Sequence, residues 1–289
     1  MATVIIETIG VLTTASTLFV VAAGLTLVFG ALRLINMAHG SFYAYGAFLA
    51  TTIIAVATGA GFWLALVAAP LAVAAIGVVV EIGVLRRTYG REHLTQLLAT
   101  FALFLIFGDL ALRFWGTGSR TVSPPAVIAG QVILAGATVP TYDFVVIGAA
   151  VVTGAGLWLL LARTALGWRI RAAVEDPETL AAGGTSLRAL RTGVFALGSA
   201  LAGLAGAVIA PLQAVGPGLD SQIIAAAFIV AVVGGLGSVP GAALGALIIG
   251  IFETLGTLWL PTWAPVSIYL VMIVALAIRP TGLLGAPER

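Results

Sequence analysis

The stretch that decides the fold is Ser221–Phe252, which reads SQIIAAAFIVAVVGGLGSVPGAALGALIIGIF and contains no charged residue. A helix that crosses a bilayer needs only about 20 predominantly apolar residues. Three more runs carry no charge: Thr8–Leu32, Gly193–Leu219 and Thr254–Ile278. Charged residues make up 8% of the 289 residues, against about 25% in a soluble domain. The sequence therefore predicts an all-α, polytopic membrane protein with a single transmembrane domain over residues 1–289.

Hydropathy and the charged or Gly/Pro-rich breaks predict about eight or nine transmembrane or half-membrane helices. These segments are 8–30, 41–58, 63–85, 94–113, 144–162, 192–210, 221–234, 241–257 and 265–279. The 221–234 segment reaches only partway across the roughly 30 Å hydrocarbon core, because a helix rises about 1.5 Å per residue. Residues 221–257 therefore form either two crossings or two half-helices. A Gly/Pro break between half-helices is tolerated at membrane depth only where it is buried in protein or lines a wet cavity.

The distribution of arginine sets the predicted orientation, since the chain contains no lysine. Most arginines lie in the connections 86–91 and 163–191, and Arg279 and Arg289 follow the last segment. The positive-inside rule assigns these regions to the cytoplasm.

Residues 114–143 then form an external loop on the opposite side of the membrane. Within it, Val132–Leu134 and Ala137–Val139 flank Ala135–Gly136, a pattern that predicts a small β-hairpin. This external loop either caps the pore or contacts a partner protein.

Catalytic chemistry has little support in the sequence. His39 and His93 lie far apart and have no metal-ligand spacing with any carboxylate. A nucleotide-hydrolysing P-loop requires a lysine, which this chain lacks. The arginines are too dispersed for a nucleic-acid footprint. We therefore predict no catalytic residue, no metal, no cofactor and no nucleic-acid partner, and a function in movement rather than bond-breaking.

One polar interruption, Asn36–Ser41, lies in a stretch from Leu34 to Val80 that carries no formal charge. Polar groups at membrane depth are costly and normally face a partner or a water path. The interruption is either a pore-lining or gating turn, or a short cytoplasmic turn anchored by Arg33. Of the isolated acids, Glu81 is expected to snorkel to its cytoplasmic helix end.

The connection 163–191 contains the signals of a short helix. Asp176 is a candidate N-cap, Pro177 suits the first helical position, and Glu178 places an acid in the first turn. Gly183–Gly184 then ends the predicted helix after about two turns. A short capped helix suits docking into another protein's groove, or it lies on the membrane surface.

Four blocks of sequence resemble one family of transport proteins. The blocks are Ala23–Tyr43, Gly167–Ala207, Gly234–Glu253 and Arg279–Leu283. In these blocks the chain is similar to permeases of the branched-chain amino acid ABC transporter family, and it resembles the LivH-type subunit more than the LivM-type.

The resemblance implies the permease fold and function of an ATP-binding cassette importer in the bacterial inner membrane. The implied solute is small and neutral or zwitterionic, with branched-chain amino acids foremost. The implied partners are a second, LivM-type permease, two cytoplasmic ATP-binding subunits, an extracytoplasmic substrate-binding protein and membrane lipid. The alternative is an ion-coupled secondary transporter or channel that works without ATPase partners.

The resemblance also implies roles for individual residues. The candidate substrate-path residues are Asn36, His39, Gly40, Ser41, Gly235, Gly237 and Ser238. The connection 163–191 becomes the cytoplasmic coupling loop. Its candidate ATPase-coupling residues are Glu175, Asp176, Glu178, Gly183 and Arg191.

Overall fold

The computed structural model describes residues 1–57, 60–259 and 261–285. Over these residues the chain forms eleven α-helices and one two-stranded antiparallel sheet. The helices are α1 (Ala2–Leu32), α2 (His39–Val56), α3 (Gly61–Gly83), α4 (His93–Trp115), α5 (Thr141–Arg163), α6 (Ala165–Glu175), α7 (Pro177–Ala182), α8 (Leu187–Ile209), α9 (Leu219–Gly234), α10 (Val239–Trp259) and α11 (Ala264–Ile278). The strands are β1 (Gln131–Leu134) and β2 (Ala137–Pro140). The predicted all-α, polytopic fold is confirmed.

Each predicted membrane segment corresponds to a helix. In the described part of the chain six helices are long and apolar enough to cross a membrane, namely α1, α3, α4, α5, α8 and α10. The predicted segment 41–58 corresponds to α2, although residue 58 lies outside the described residues, as does Arg289. The predictions missed α6, because Arg169, Arg171 and Glu175 among its 11 residues give it little net hydropathy.

Helix α8 lies at the centre of the bundle and packs against α1, α2 and α3. Three glycines bring its backbone close to those helices. A Cβ placed at Gly203 would lie 2.8 Å from the Cβ of Val73 in α3. A Cβ at Gly198 would collide with Val28 of α1, and one at Gly206 would collide with the carbonyl of Tyr43 in α2. Helices in lipid associate through close packing of this kind, because lipid tails supply no hydrophobic drive between them.

The bundle has two chemically distinct ends. We call one the arginine-rich end, where the guanidinium of Arg191 lies 4.9 Å from the ring centroid of Tyr89. We call the other the hairpin end, where Arg120 and Val215 form a β-bridge and the Trp115 indole donates to Thr52. The two groups of loops therefore lie at opposite ends of the helices, as the predicted orientation requires.

Glu81 does not snorkel to solvent as expected. Its side chain is fully buried, and Arg86 lies 2.9 Å from Oε2. The hydroxyl of Thr192 lies 2.7 Å from the same oxygen. The expectation was wrong because the carboxylate has partners in Arg86, directly after α3, and in Thr192 of the neighbouring α8, so it gains charge-assisted hydrogen bonds without reaching water.

The predicted hairpin is confirmed as β1–β2. Leu134 pairs with Ala137 across a two-residue turn of Ala135 and Gly136. Both turn residues have positive φ, at 47° and 86°. That combination defines the type I′ turn favoured in tight hairpins.

The break between α9 and α10 is closed by the C-terminal segment. The N–H of Leu283 donates to the carbonyl of Val233, and the N–H of Leu284 donates to that of Gly234, each at 2.9 Å. These bonds satisfy carbonyls in the last turn of α9 that have no partner within the helix. Helix α9 has 16 residues and rises roughly 24 Å, so it is a partial crossing beside the longer α10.

Close packing of α2 on α8 should not tolerate a side chain at Gly46, where a Cβ would overlap the backbone of Gly203. We expect Gly46→Leu to lower the free energy of unfolding by about 1–3 kcal/mol or more, because overpacking separates the two helices. Thermal unfolding of the detergent-solubilised protein measures this change. Gly148→Leu on α5 is the control, since no atom of the described residues lies within 4 Å of a Cβ there. Equal stability of the two variants would contradict the packing role.

Candidate functional site

The segment between α1 and α2 turns back into the bundle. His39 Nε2 lies 3.0 Å from the carbonyl oxygen of Val21, and the imidazole borders Gly24. Val21 precedes the end of α1 at Leu32 by eleven residues, roughly 16 Å along the helix axis. The interruption at Asn36–Ser41 therefore lies at depth within the protein and is not a turn at the bundle surface.

This buried turn contains polar atoms without partners. Among the described residues, no hydrogen-bond partner is found for the side-chain amide of Asn36, Nδ1 of His39 or Oγ of Ser41. All three side chains are at most 1% exposed. A buried polar group left unsatisfied costs about 1–3 kcal/mol. Three of them in one turn mark a position that favours a polar partner.

The first turn of α9 packs directly on the start of α2. A Cβ placed at Gly40 would collide with the carbonyl of Asp220 and lie 2.8 Å from the Cβ of Ile224. Glycine at position 40 therefore permits this approach of two helix starts within the bundle.

Beside this contact lies a cavity of about 130 Å³, which we call the Asp220 pocket. Its lining includes Ser41, Tyr45, Phe48, Phe107, Gly108, Ala111 and Asp220. Of these, Ser41 alone is a predicted path residue. The sequence analysis missed Asp220, although a signal was present. It is the single charge between the uncharged runs Gly193–Leu219 and Ser221–Phe252.

The other predicted path residues lie nearer the arginine-rich end. A Cβ at Gly30 would lie 3.0 Å from the Cα of Gly237. Gly30 follows Gly24 by six residues, roughly 9 Å along α1, so the two groups of path residues are at different depths. Ser238 Oγ accepts the N–H of Gly241 at 3.1 Å and caps the start of α10. Gly235 packs against the C-terminal segment.

A larger groove of about 1120 Å³ opens at the arginine-rich end. Gly237 and Ser238 line it together with Arg33, Arg171 and Glu175. The structure thus brings one predicted coupling residue, Glu175, into the same groove as two predicted path residues. Arg33 is also the left-handed C-cap of α1, with φ of 52°.

The predicted short helix in the coupling loop is confirmed as α7. Asp176 Oδ1 accepts the N–H of Thr179 at 3.0 Å, and Pro177 occupies the first turn. Hydrogen bonding from Thr179 holds the pKa of Asp176 below its ordinary value. Leu180 is buried against the bundle, whereas Glu178 is exposed. Helix α7 thus displays a polar face away from the membrane domain.

The two glycines at the end of α7 differ in backbone conformation. The N–H of Thr185 donates to Leu180 and the N–H of Gly184 donates to Ala181, which is the Schellman pattern. Gly184 has φ of +84° and Gly183 has φ of −74°. The backbone therefore requires glycine at 184, whereas 183 is exposed and open to a side chain.

The remaining predicted coupling residue, Arg191, lies on α8 over the ring of Tyr89. Burial raises the pKa of the Tyr89 hydroxyl above its ordinary value. Arg191 thus contacts an aromatic ring at the arginine-rich end and lies on a different helix from Glu178 of α7.

A match to a known protein family covers almost the whole bundle. Residues 8–276 match the family described as the branched-chain amino acid transport system permease component. The chain belongs to this family. Permease components are not enzymes, so the predicted role in movement and the predicted family are both confirmed.

Individual relatives agree with the LivH-type resemblance. The chain is 29% identical to the high-affinity branched-chain amino acid transport system permease protein BraD of Pseudomonas aeruginosa, over 96% of this chain and 94% of the relative. Identity and coverage are the same for LivH of Escherichia coli strain K12. The fructose import permease protein FrcC of Rhizobium meliloti is 28% identical over 93% of this chain and 74% of its own length. No solved structure matches the chain.

The side-chain amide of Asn36 has no partner among the described residues, so its contribution to the stability of the protein can be tested by substitution. We expect Asn36→Leu to leave the free energy of unfolding unchanged or raised, because leucine of similar size removes buried groups that have no partner. Thr100→Val is the contrasting variant, since Thr100 Oγ1 donates to the carbonyl of Ile35 at 3.0 Å. It should lower stability by about 1 kcal/mol. Chemical unfolding in detergent compares the two. Clear destabilisation by Asn36→Leu would mean that the amide is satisfied in the native protein.

Proposed function

We propose that this chain is the membrane permease subunit of an ATP-binding cassette importer. It carries a small neutral or zwitterionic solute, branched-chain amino acids foremost, across the bacterial inner membrane into the cell. The observation that carries the proposal is the family match over residues 8–276, on a bundle with six apolar spanning helices in its described part. BraD and LivH, by their names, are permease proteins of high-affinity branched-chain amino acid transport systems.

The partners in this proposal are a second, LivM-type permease, two cytoplasmic ATP-binding subunits and an extracytoplasmic substrate-binding protein. The positive-inside rule assigns the arginine-rich end to the cytoplasm. Helix α7 then faces the ATP-binding subunits, and the hairpin end faces the binding protein. Lipid surrounds the exposed apolar faces of α4 and α5.

The proposed mechanism is alternating access. ATP binding closes the pair of ATP-binding subunits, and α7 moves with them through its exposed residues Glu178 and Gly183. Glu175 and Asp176 link this motion to α6. The permease pair then switches between two arrangements that open the path to opposite sides. Solute released by the binding protein passes the buried turn at Asn36–Ser41 before it reaches the break at Gly235–Ser238.

Co-purification tests the proposed assembly. We expect the tagged chain, extracted from its native membrane in mild detergent, to retain a second permease and two P-loop ATPases, identified by mass spectrometry. The reconstituted assembly, supplied with its binding protein, should take up leucine, isoleucine or valine only with ATP. Fructose is the comparison solute because of the FrcC relative. A chain that purifies alone and transports without ATP would favour the secondary-carrier alternative.

The two glycines at the end of α7 allow a sharper test of coupling. We expect Gly183→Trp to reduce uptake at least tenfold while the permease stays in the membrane, because the indole blocks docking without straining the backbone. Recovery of ATP-binding subunits in the pull-down should fall in parallel. Gly118→Trp is the control, since Gly118 also has room for a side chain but lies at the hairpin end.

Gly184→Ala tests the backbone of α7 instead of its docking surface. It strains a position with φ of +84° and should loosen α7 without adding bulk. Normal uptake and normal recovery of ATP-binding subunits by Gly183→Trp would contradict the coupling role of this helix.

A further inference from the structure

Asp220 carries a carboxylate that has no charged partner within the described part of the chain. The two ion pairs found there are Glu81–Arg86 at 2.9 Å and Asp109–Arg113 at 2.8 Å. Asp220 Oδ1 accepts a local bond, from the N–H of Ser221 at 2.9 Å. Ionisable groups within a membrane domain are costly and are retained where they bind something. The half-buried, unpaired carboxylate at the start of α9 is therefore available to a cationic ligand.

The walls of the Asp220 pocket are apolar apart from this carboxylate and two hydroxyls. Phe48, Phe107, Ala111 and Leu112 supply aromatic and aliphatic surface. The pocket measures about 130 Å³. A cavity of about 150 Å³ with similar walls admits benzene. An aliphatic group of three or four carbons therefore fits beside Asp220.

The hydroxyl groups of the pocket strengthen the preference for a cation. The Tyr45 hydroxyl donates its proton to the carbonyl of Phe107 at 3.1 Å, so that proton is already committed. Ser41 is 1% exposed, and its Oγ has no partner among the described residues. The carboxylate of Asp220 and the neutral Oγ of Ser41 can thus both accept hydrogen bonds from a donor group of the ligand.

The pocket extends to exposed residues at the hairpin end. Gly116, Pro217 and Gly218 belong to its lining and are all exposed. On the proposed orientation, this is the side on which a binding protein delivers its solute. The carboxylate of a zwitterion can therefore remain at this open side while its cationic and apolar parts enter.

We propose that the Asp220 pocket is the recognition subsite of the transport path. Asp220 and Ser41 bind the α-ammonium group of an aliphatic amino acid, and the wall formed by Phe48, Phe107 and Ala111 receives its side chain. This inference rests on the proposed importer function and narrows its substrate to an amine-bearing, apolar solute. A sugar lacks the cation that the carboxylate requires.

The test uses the complete transporter, with its co-purified partners and binding protein, reconstituted in liposomes with ATP. Asp220→Asn keeps the shape of the side chain and removes its charge. We expect at least a tenfold loss of L-leucine uptake, with unchanged assembly and basal ATP hydrolysis, and partial recovery in Asp220→Glu. Asp109→Asn is the matched control, because it removes an exposed carboxylate from neighbouring α4 and should stay within twofold of wild type. Leucine uptake by Asp220→Asn within twofold of wild type would overturn the proposal.

A second variant keeps the proposal testable if Asp220→Asn fails to assemble. Gly108 lies in the pocket wall, and a Cβ there would stand 3.6 Å from Asp220 Oδ2. Gly108→Val should reduce uptake of L-leucine at least fivefold more than uptake of L-alanine, because it fills space that only the larger side chain needs. Equal effects on the two solutes would overturn the subsite. A wild-type transporter without ATP-dependent amino acid uptake would instead overturn the importer function itself.

Discussion

The close approach of the α8 backbone to three other helices is the constraint on which the rest of the molecule depends. Within a bilayer the hydrophobic effect does not drive one helix against another, so contact must come from packing. Gly198, Gly203 and Gly206 remove the side chains that would hold α1, α3 and α2 away. Helix α8 can therefore act as a common wall for all three, and it fixes the depth at which α2 begins.

The depth at which α2 begins determines which polar groups are buried. Because α2 starts beside Val21 of α1, the turn at Asn36–Ser41 is buried among helices, and several of its polar atoms have no partner in the described part of the chain. The same arrangement places the first turn of α9 against Gly40 and brings Asp220 next to Ser41. Sequences usually satisfy every level of structure at once, and the exceptions concentrate at functional sites. Here three of the described side chains with unpartnered buried atoms lie in the Asn36–Ser41 turn, and one of them, Ser41, lines the Asp220 pocket.

The sequence predicted features that depend on local pattern. Uncharged runs located the helices, the β-prone runs on either side of Ala135–Gly136 located the hairpin, and the cap at Asp176 located α7. Features that depend on depth were not predictable, because hydropathy does not report where along its neighbours a helix begins. The burial of Asn36–Ser41 was therefore left open, and Asp220 fell just outside the predicted segment 221–234. Gly183 and Gly184 differ in backbone φ, and the sequence of two adjacent glycines does not show which of them has the positive value.

Helix α6 explains how a signal at α7 can reach the bundle under the proposed function. A Cβ at Gly167 would overlap the backbone of Leu161, and Arg171 Nη1 donates to the Leu161 carbonyl at 2.6 Å. Helix α6 is therefore bound tightly to the end of α5, so a displacement of α7 moves both helices together. The groove of about 1120 Å³ separates α6 from the break at Gly235–Ser238, which leaves the break free to keep its own position. On the proposed mechanism, movement of α6 with α5 relative to the break at Gly235–Ser238 would change the width of that groove at the arginine-rich end.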